Sequence, residues 1–186
     1  MELEPLVFRQ MGSQETIAFR ADAQGQVAYL FRGNLPINGY QKLAWFDTPP
    51  LHYGLLAGCI ILFISALVCW PIGWLLARRR SSPAPRLASA ARWLGRGVSA
   101  LYLLFPILFV VSISDLSLFP SFLMKAALAI ALVATVVTIG VVACVGLAWQ
   151  RRYWSVLGRL HYTLLALGAL AFSWFLNYWN LLGFRW

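Results

Sequence analysis

The chain has 186 residues, 61% of them hydrophobic and only 11% charged, with a mean hydropathy of +0.72. Soluble domains carry about 25% charged residues, so this composition points to a membrane protein. A formal net charge of +9 would suit nucleic acid, but the diagnostic motifs for such a partner are missing and the cations crowd the ends of apolar runs, so nucleic acid is excluded.

Residues 1–48 read as a small extracytoplasmic β segment. Pro5–Arg9, Thr16–Arg20 and Val27–Arg32 are rich in β-branched and aromatic residues, and Asp22-Ala-Gln-Gly25 supplies turn chemistry between the last two. The expectation is a hairpin plus one strand, followed by an extended piece over Tyr40–Phe46. Pro49-Pro50 then marks the boundary before the first helix. So few short strands are not stable alone, so a partner surface is expected. Glu2, Glu4, Glu15 and Asp22 interrupt this segment, which lacks the apolar core of an export signal.

Residues 49–186 are expected to form a four-helix transmembrane domain, with spans at about 51–77, 97–114, 122–149 and 160–179. Leu51–Ala77 runs for 27 residues without Asp, Glu, Lys or Arg, where about 20 apolar residues suffice to cross a bilayer. It stops at Arg78, Arg79 and Arg80, which mark the cytoplasmic side by the positive-inside bias. Arg92 and Arg96 precede the second span. Asp115–Pro120 forms an acidic outer turn, Arg151 and Arg152 close the third span, and Arg159 opens the fourth. These eight arginines are assigned to topology and lipid-headgroup contact, each contributing about 1 kcal/mol near an anionic leaflet. Both chain ends are therefore expected outside the cytosol. The interfacial aromatic belt is assigned to Trp45, Tyr53, Tyr178 and Trp179 at the outer depth and Trp74, Trp93, Trp149 and Trp154 at the inner depth. Lys125, in the first turn of the third span, is expected to snorkel. Two small-residue patterns suggest helix contacts: Gly54-Leu-Leu-Ala-Gly58, and the stripe Ala127, Ala131, Ala134 and Thr138.

Catalytic and metal chemistry find few residues to work with. Haem held by His52 and His161 is opposed by topology, since the two lie at opposite mouths of the spans, about 30 Å apart. Each is expected at an interface with its polar edge wet. Cys59, Cys69 and Cys144 all sit in apolar runs and read as packing residues. Asn177 and Asn180 read as capping or inter-helix groups. No Ser-x-x-Lys is present; Ser89-Ala-Ala-Arg92 comes nearest, and a guanidinium cannot act as a base. No catalytic, cofactor-binding or metal-binding residue is assigned.

Gln41-Lys-Leu-Ala-Trp-Phe-Asp-Thr-Pro-Pro50 running into the first span, and the stretch from His161 to Asn177-Tyr-Trp-Asn-Leu-Leu-Gly-Phe184, resemble the carboxyl-terminal region of bacterial membrane-bound serine hydrolases of the β-lactamase and penicillin-binding-protein-like class. In that class a Ser-x-x-Lys hydrolase domain precedes a small β module and helical spans. The resemblance covers the part behind the hydrolase. It implies a non-catalytic anchor or scaffold in the bacterial cytoplasmic membrane, a fragment or separated tail of a longer protein, partnered by the bilayer and by an extracytoplasmic serine hydrolase domain or by self-association. Two other readings stay open: a small transporter or lipid-handling protein, suggested by Pro71 and Pro106 within spans, and a cofactor-binding electron-transfer subunit.

Overall fold

Alternating apolar residues between turn signals give the amino-terminal segment its strands. The structure, a computed structural model, describes residues 1–77, 85–114 and 121–183. Five strands, β1 (Glu2–Glu4), β2 (Val7–Arg9), β3 (Thr16–Ala21), β4 (Val27–Arg32) and β5 (Leu35–Gln41), form one sheet in chain order, each antiparallel to the next. The β3–β4 hairpin closes as its turn residues dictate: the Asp22 carboxylate accepts from the backbone N–H of Gln24 and Gln26 at 3.0 and 2.9 Å, and Gly25 takes a φ of +78°.

The sheet is larger than a hairpin plus one strand. β1 is short and acidic, which hides it from a propensity reading. β5 carries Pro36 and Gly39 yet lies at the sheet edge and beside a register irregularity, places where a proline costs no ladder bond. The extended piece expected over Tyr40–Phe46 is displaced to Leu35–Gln41, and Trp45–Asp47 coils into a 3-10 turn.

Four long helices follow: α1 (Pro49–Ala77), α2 (Arg86–Ile113), α3 (Phe122–Gln150) and α4 (Val156–Tyr178). All four are long and apolar enough to cross a membrane. α2 begins eleven residues before the span expected from Gly97. Counting apolar residues finds hydrocarbon-crossing length, whereas Leu87-Ala-Ser-Ala-Ala91 extends the helix on propensity alone. Ser121 and Ser155 cap α3 and α4, accepting from the N–H of Met124 and Gly158. The α4 end is set by Asn180, whose φ of 53° ends the helix while Leu181 N–H bonds back to the Leu176 carbonyl at 2.7 Å. Asn180 thus acts through its backbone.

The chain divides into two compact units, Met1–Leu51 and His52–Trp186. In the second, α2, α3 and α4 approach closely through small residues: Ala88, Ala91, Gly95 and Ser99 on α2, and Ala127, Ala131, Ala134 and Thr138 on α3, are all buried. α1 stands farther off and joins through large side chains, with Phe63 stacked on Tyr102 at 5.3 Å and edge-on to Phe172 at 5.7 Å. Gly54 and Gly58 meet no helix: a methyl at either would touch nothing within 4 Å. Close approach occurs instead at Gly95, under the Trp70 indole, and at Gly168, under Leu62.

The first unit lacks an interior. No described residue from Met1 to Leu51 is fully buried, and Ile37 is 96% exposed. Strand register places Phe8, Ile17, Phe19, Leu30 and Tyr40 on one face, an apolar stripe covered by nothing within the sheet.

Candidate functional site

The up-and-down order of the helices brings the end of α1 and the starts of α2 and α4 together. Between them lies a cavity of about 400 Å³, lined by Trp70, Arg92, Trp154, Leu157, Gly158 and His161. Tyr162, next to His161, donates its hydroxyl to the Ala91 carbonyl at 3.1 Å, which fixes the α2 turn carrying Arg92 against α4. The Trp154 ring packs on Tyr162 at 5.2 Å and carries the Arg92 guanidinium over its face at 4.9 Å.

His161 is locked by two partners. Trp70 Nε1–H donates to Nδ1 at 2.8 Å, so Nδ1 bears a lone pair and the neutral ring's proton sits on Nε2, 2.9 Å from Ser65 Oγ. Ser65 Oγ–H in turn donates to the Leu62 carbonyl at 2.7 Å. The result is a directed chain, Trp70 to His161 to Ser65 to backbone. Such a serine–histidine pair looks like a nucleophile and its base, but the protons run the wrong way: the imidazole donates to the hydroxyl and cannot accept from it. Sequence spacing does not reveal this pair, since 96 positions separate its members.

The arginines expected at the cytoplasmic face divide into three groups. Arg78, Arg79 and Arg80 lie outside the described residues. Arg151 and Arg152 are exposed at the end of α3, Arg152 with a φ of 49°. Arg92, Arg96 and Arg159 each stack on a tryptophan from the predicted inner belt: Arg92 on Trp154, Arg96 on Trp93 at 5.0 Å, and Arg159 on Trp149 at 4.8 Å. Trp93 and Arg96 are three apart on one helix, a pairing that spacing could have revealed. The other two cross between elements. Trp149 also donates Nε1–H to Thr163 Oγ1 at 3.0 Å. Trp154 is half-buried rather than splayed at a surface, and of Trp74 only the helical backbone is described.

At the opposite end, His52 is not wet. It is 4% exposed and sits among Trp174, Phe175, Tyr178 and Trp179, with ring centroids 4.8 to 6.2 Å away; neither of its nitrogens has a hydrogen-bond partner. Tyr178 and Trp179, predicted belt residues, therefore help form a box around an imidazole. Tyr53 is exposed on α1, and Trp45, in the other unit, packs edge-on against Phe46 at 5.8 Å. The 18 residues from His52 to Trp70, the partner of His161, rise about 27 Å along α1, so one iron cannot reach both imidazoles. Among the described residues no three His, Cys, Asp or Glu side chains converge.

The chain matches no protein-family model, no curated protein and no solved structure.

A third polar cluster lies mid-bundle. Tyr102 Oη is 3.0 Å from Thr138 Oγ1 and 2.7 Å from Ser173 Oγ, joining α2, α3 and α4. Thr138 and Ser173 already donate to the carbonyls of Ala134 and Ala169 on their own helices. With one proton each, both can only accept from tyrosine, and its single proton favours the shorter contact.

Proposed function

We propose that this chain is a non-catalytic anchor and scaffold of the bacterial cytoplasmic membrane: a four-helix bundle that holds an extracytoplasmic sheet on which a partner domain docks. In this reading both chain ends lie outside the cytosol and the arginine-bearing end of the bundle faces inward. The resemblance to the region behind the catalytic domain in β-lactamase-like serine hydrolases makes such a hydrolase domain the partner of choice. The observation that carries the proposal is a five-stranded sheet without a single fully buried described residue, since an apolar stripe left in water forfeits about 25 cal/mol for each Å² it could bury. The orientation of protons around His161 also favours a non-catalytic role.

The test is co-expression of the full chain with a Ser-x-x-Lys hydrolase domain encoded beside it. Co-purification in detergent and slowed amide exchange across β3 to β5 are expected; unchanged exchange and no co-purification would refute docking. Substrate turnover by the purified chain alone would refute the non-catalytic assignment. For sidedness, in a cysteine-free background, Gln24→Cys should react with an impermeant thiol reagent in spheroplasts and Ser155→Cys should not; the reverse pattern inverts the topology.

A further inference from the structure

The cavity at the arginine-bearing end contains a cation, Arg92, that no acidic side chain among the described residues neutralises. Residues 52–186 hold one acid, Asp115, which follows the far end of α2. From Arg92 to Ile113 that helix rises about 32 Å, so the helix end that Asp115 follows in the sequence is remote from Arg92. Among the described residues the ion pair present, Arg32 with Glu15, lies wholly within Met1–Leu51. An uncompensated guanidinium at the edge of hydrocarbon is costly and persists where a counter-charge or water meets it.

The surroundings of Arg92 specify what that counter-charge is. The Arg92 guanidinium lies over the Trp154 ring, and no acidic side chain among the described residues pairs with its forked N–H groups, which suit a bidentate acceptor. The other walls are the indoles of Trp70 and Trp154, Leu157, Gly158 and the His161 imidazole, whose two nitrogens are already engaged by Trp70 and Ser65, so the space beside the fork is largely apolar. The α4 amino terminus, capped by Ser155, opens onto the same cavity through Leu157 and Gly158 and adds a favourable field for an anion. A cavity of about 400 Å³ falls in the range of small-molecule sites and accommodates a glycerophosphate with the first methylenes of a chain.

We propose that this cavity binds the phosphate of an anionic phospholipid: Arg92 holds the phosphate oxygens and the indole and leucine walls take the glycerol and upper acyl chain. The site goes beyond the anchor reading and is independent of what docks on the sheet. It also differs from general attraction of a basic surface to an anionic leaflet, because it places one arginine in a built cavity while Arg151 and Arg152 remain exposed.

The test uses the full chain in dodecyl maltoside, titrated with dihexanoyl-phosphatidylglycerol and followed by tryptophan emission, to which Trp70 and Trp154 report directly. Saturable binding is expected. Arg92→Gln should weaken it by about tenfold or more, as loss of a charge-assisted fork implies. Arg92→Lys should fall between Arg92→Gln and the unaltered chain, and Leu157→Trp, which crowds the cavity without touching charge, should weaken binding even if Arg92 variants fail to fold. The double variant Arg151→Gln/Arg152→Gln should bind within about twofold of the unaltered chain, the shift expected of exposed charges. Glycerol 3-phosphate separates the sources: binding of the lipid alone assigns the cavity to the membrane, and equal binding of both assigns it to soluble phosphate esters, against the lipid proposal. Binding that is indifferent to Arg92 and Leu157, or that falls equally with Arg151 and Arg152, overturns the site.

Discussion

Gly95→Ala tests how α1 is seated on the bundle. A methyl at this position would lie 2.8 Å from Cη2 and Cζ3 of Trp70 and 3.1 Å from Leu165 Cδ2. The indole cannot slide away freely, because it donates to His161 at 2.8 Å and stacks on Tyr162 at 5.8 Å. Alanine gains about 1 kcal/mol of helix propensity. Against that stand about 1–3 kcal/mol of overpacking and, if the indole is expelled, about 1 kcal/mol for its hydrogen bond. The expected net effect is a loss of about 1–3 kcal/mol, from the overpacking and hydrogen-bond costs less the propensity gain. Gly97, two residues on, faces open space, so Gly97→Ala should be neutral or gain up to about 1 kcal/mol. Unfolding of the full chain in mixed dodecyl maltoside and SDS micelles, followed by far-UV circular dichroism, measures both. In a Trp70→Phe background the Gly95→Ala penalty should shrink sharply. Equal stabilities for the two alanine variants, or a penalty at Gly95 untouched by shortening Trp70, would refute the seating of the indole described above.

The same assay checks three further expectations. Tyr102→Phe should lose about 1 kcal/mol, since Thr138 and Ser173 keep their own backbone acceptors and no donor is stranded; Ser173→Ala should abolish most of that loss in a double-mutant cycle. Arg152→Gly should raise stability by about 1 kcal/mol, because glycine adopts the left-handed backbone at this helix end without the side-chain penalty, whereas Arg152→Val should lower it. Gly58→Leu should be neutral or gain up to about 1 kcal/mol, with detergent-phase mass unchanged, as its position faces open space; a loss of stability or a change in oligomeric mass would show that this face packs against a second copy.

Apolar run length made the four helices legible, because crossing hydrocarbon demands about 20 uninterrupted apolar residues whatever else the chain does. The start of α2 escaped because helix propensity continues where hydropathy stops, through Ala88, Ala90 and Ala91. The stripe Ala127 to Thr138 lies at a helix contact, while Gly54 and Gly58, with equally apt spacing, face outward: small-residue patterns encode permission for close approach but not which neighbour arrives. The cavity was invisible for a related reason. Arg92 and Trp154 are distant in the chain, as is His161 from both Trp70 and Ser65, and only folding decides which end of which helix they share. His52 shows the opposite failure, since a lone imidazole near a helix start reads as solvated unless the aromatic cluster of α4 is known to close around it.

The loose seating of α1 has a mechanical corollary. This helix follows the sheet directly in the chain, so any tension applied to a docked domain enters the bundle through it. Its grip on α4 is made by side chains along its length: the four-ring enclosure of His52 at one end, Cys59 on the Gly168 carbonyl and Phe63 against Phe172 in the middle, and the Trp70–His161 bond at the other end. Force would therefore be resisted by side-chain contacts without the close backbone approach that joins α2, α3 and α4, and α1 would peel off before its three neighbours part.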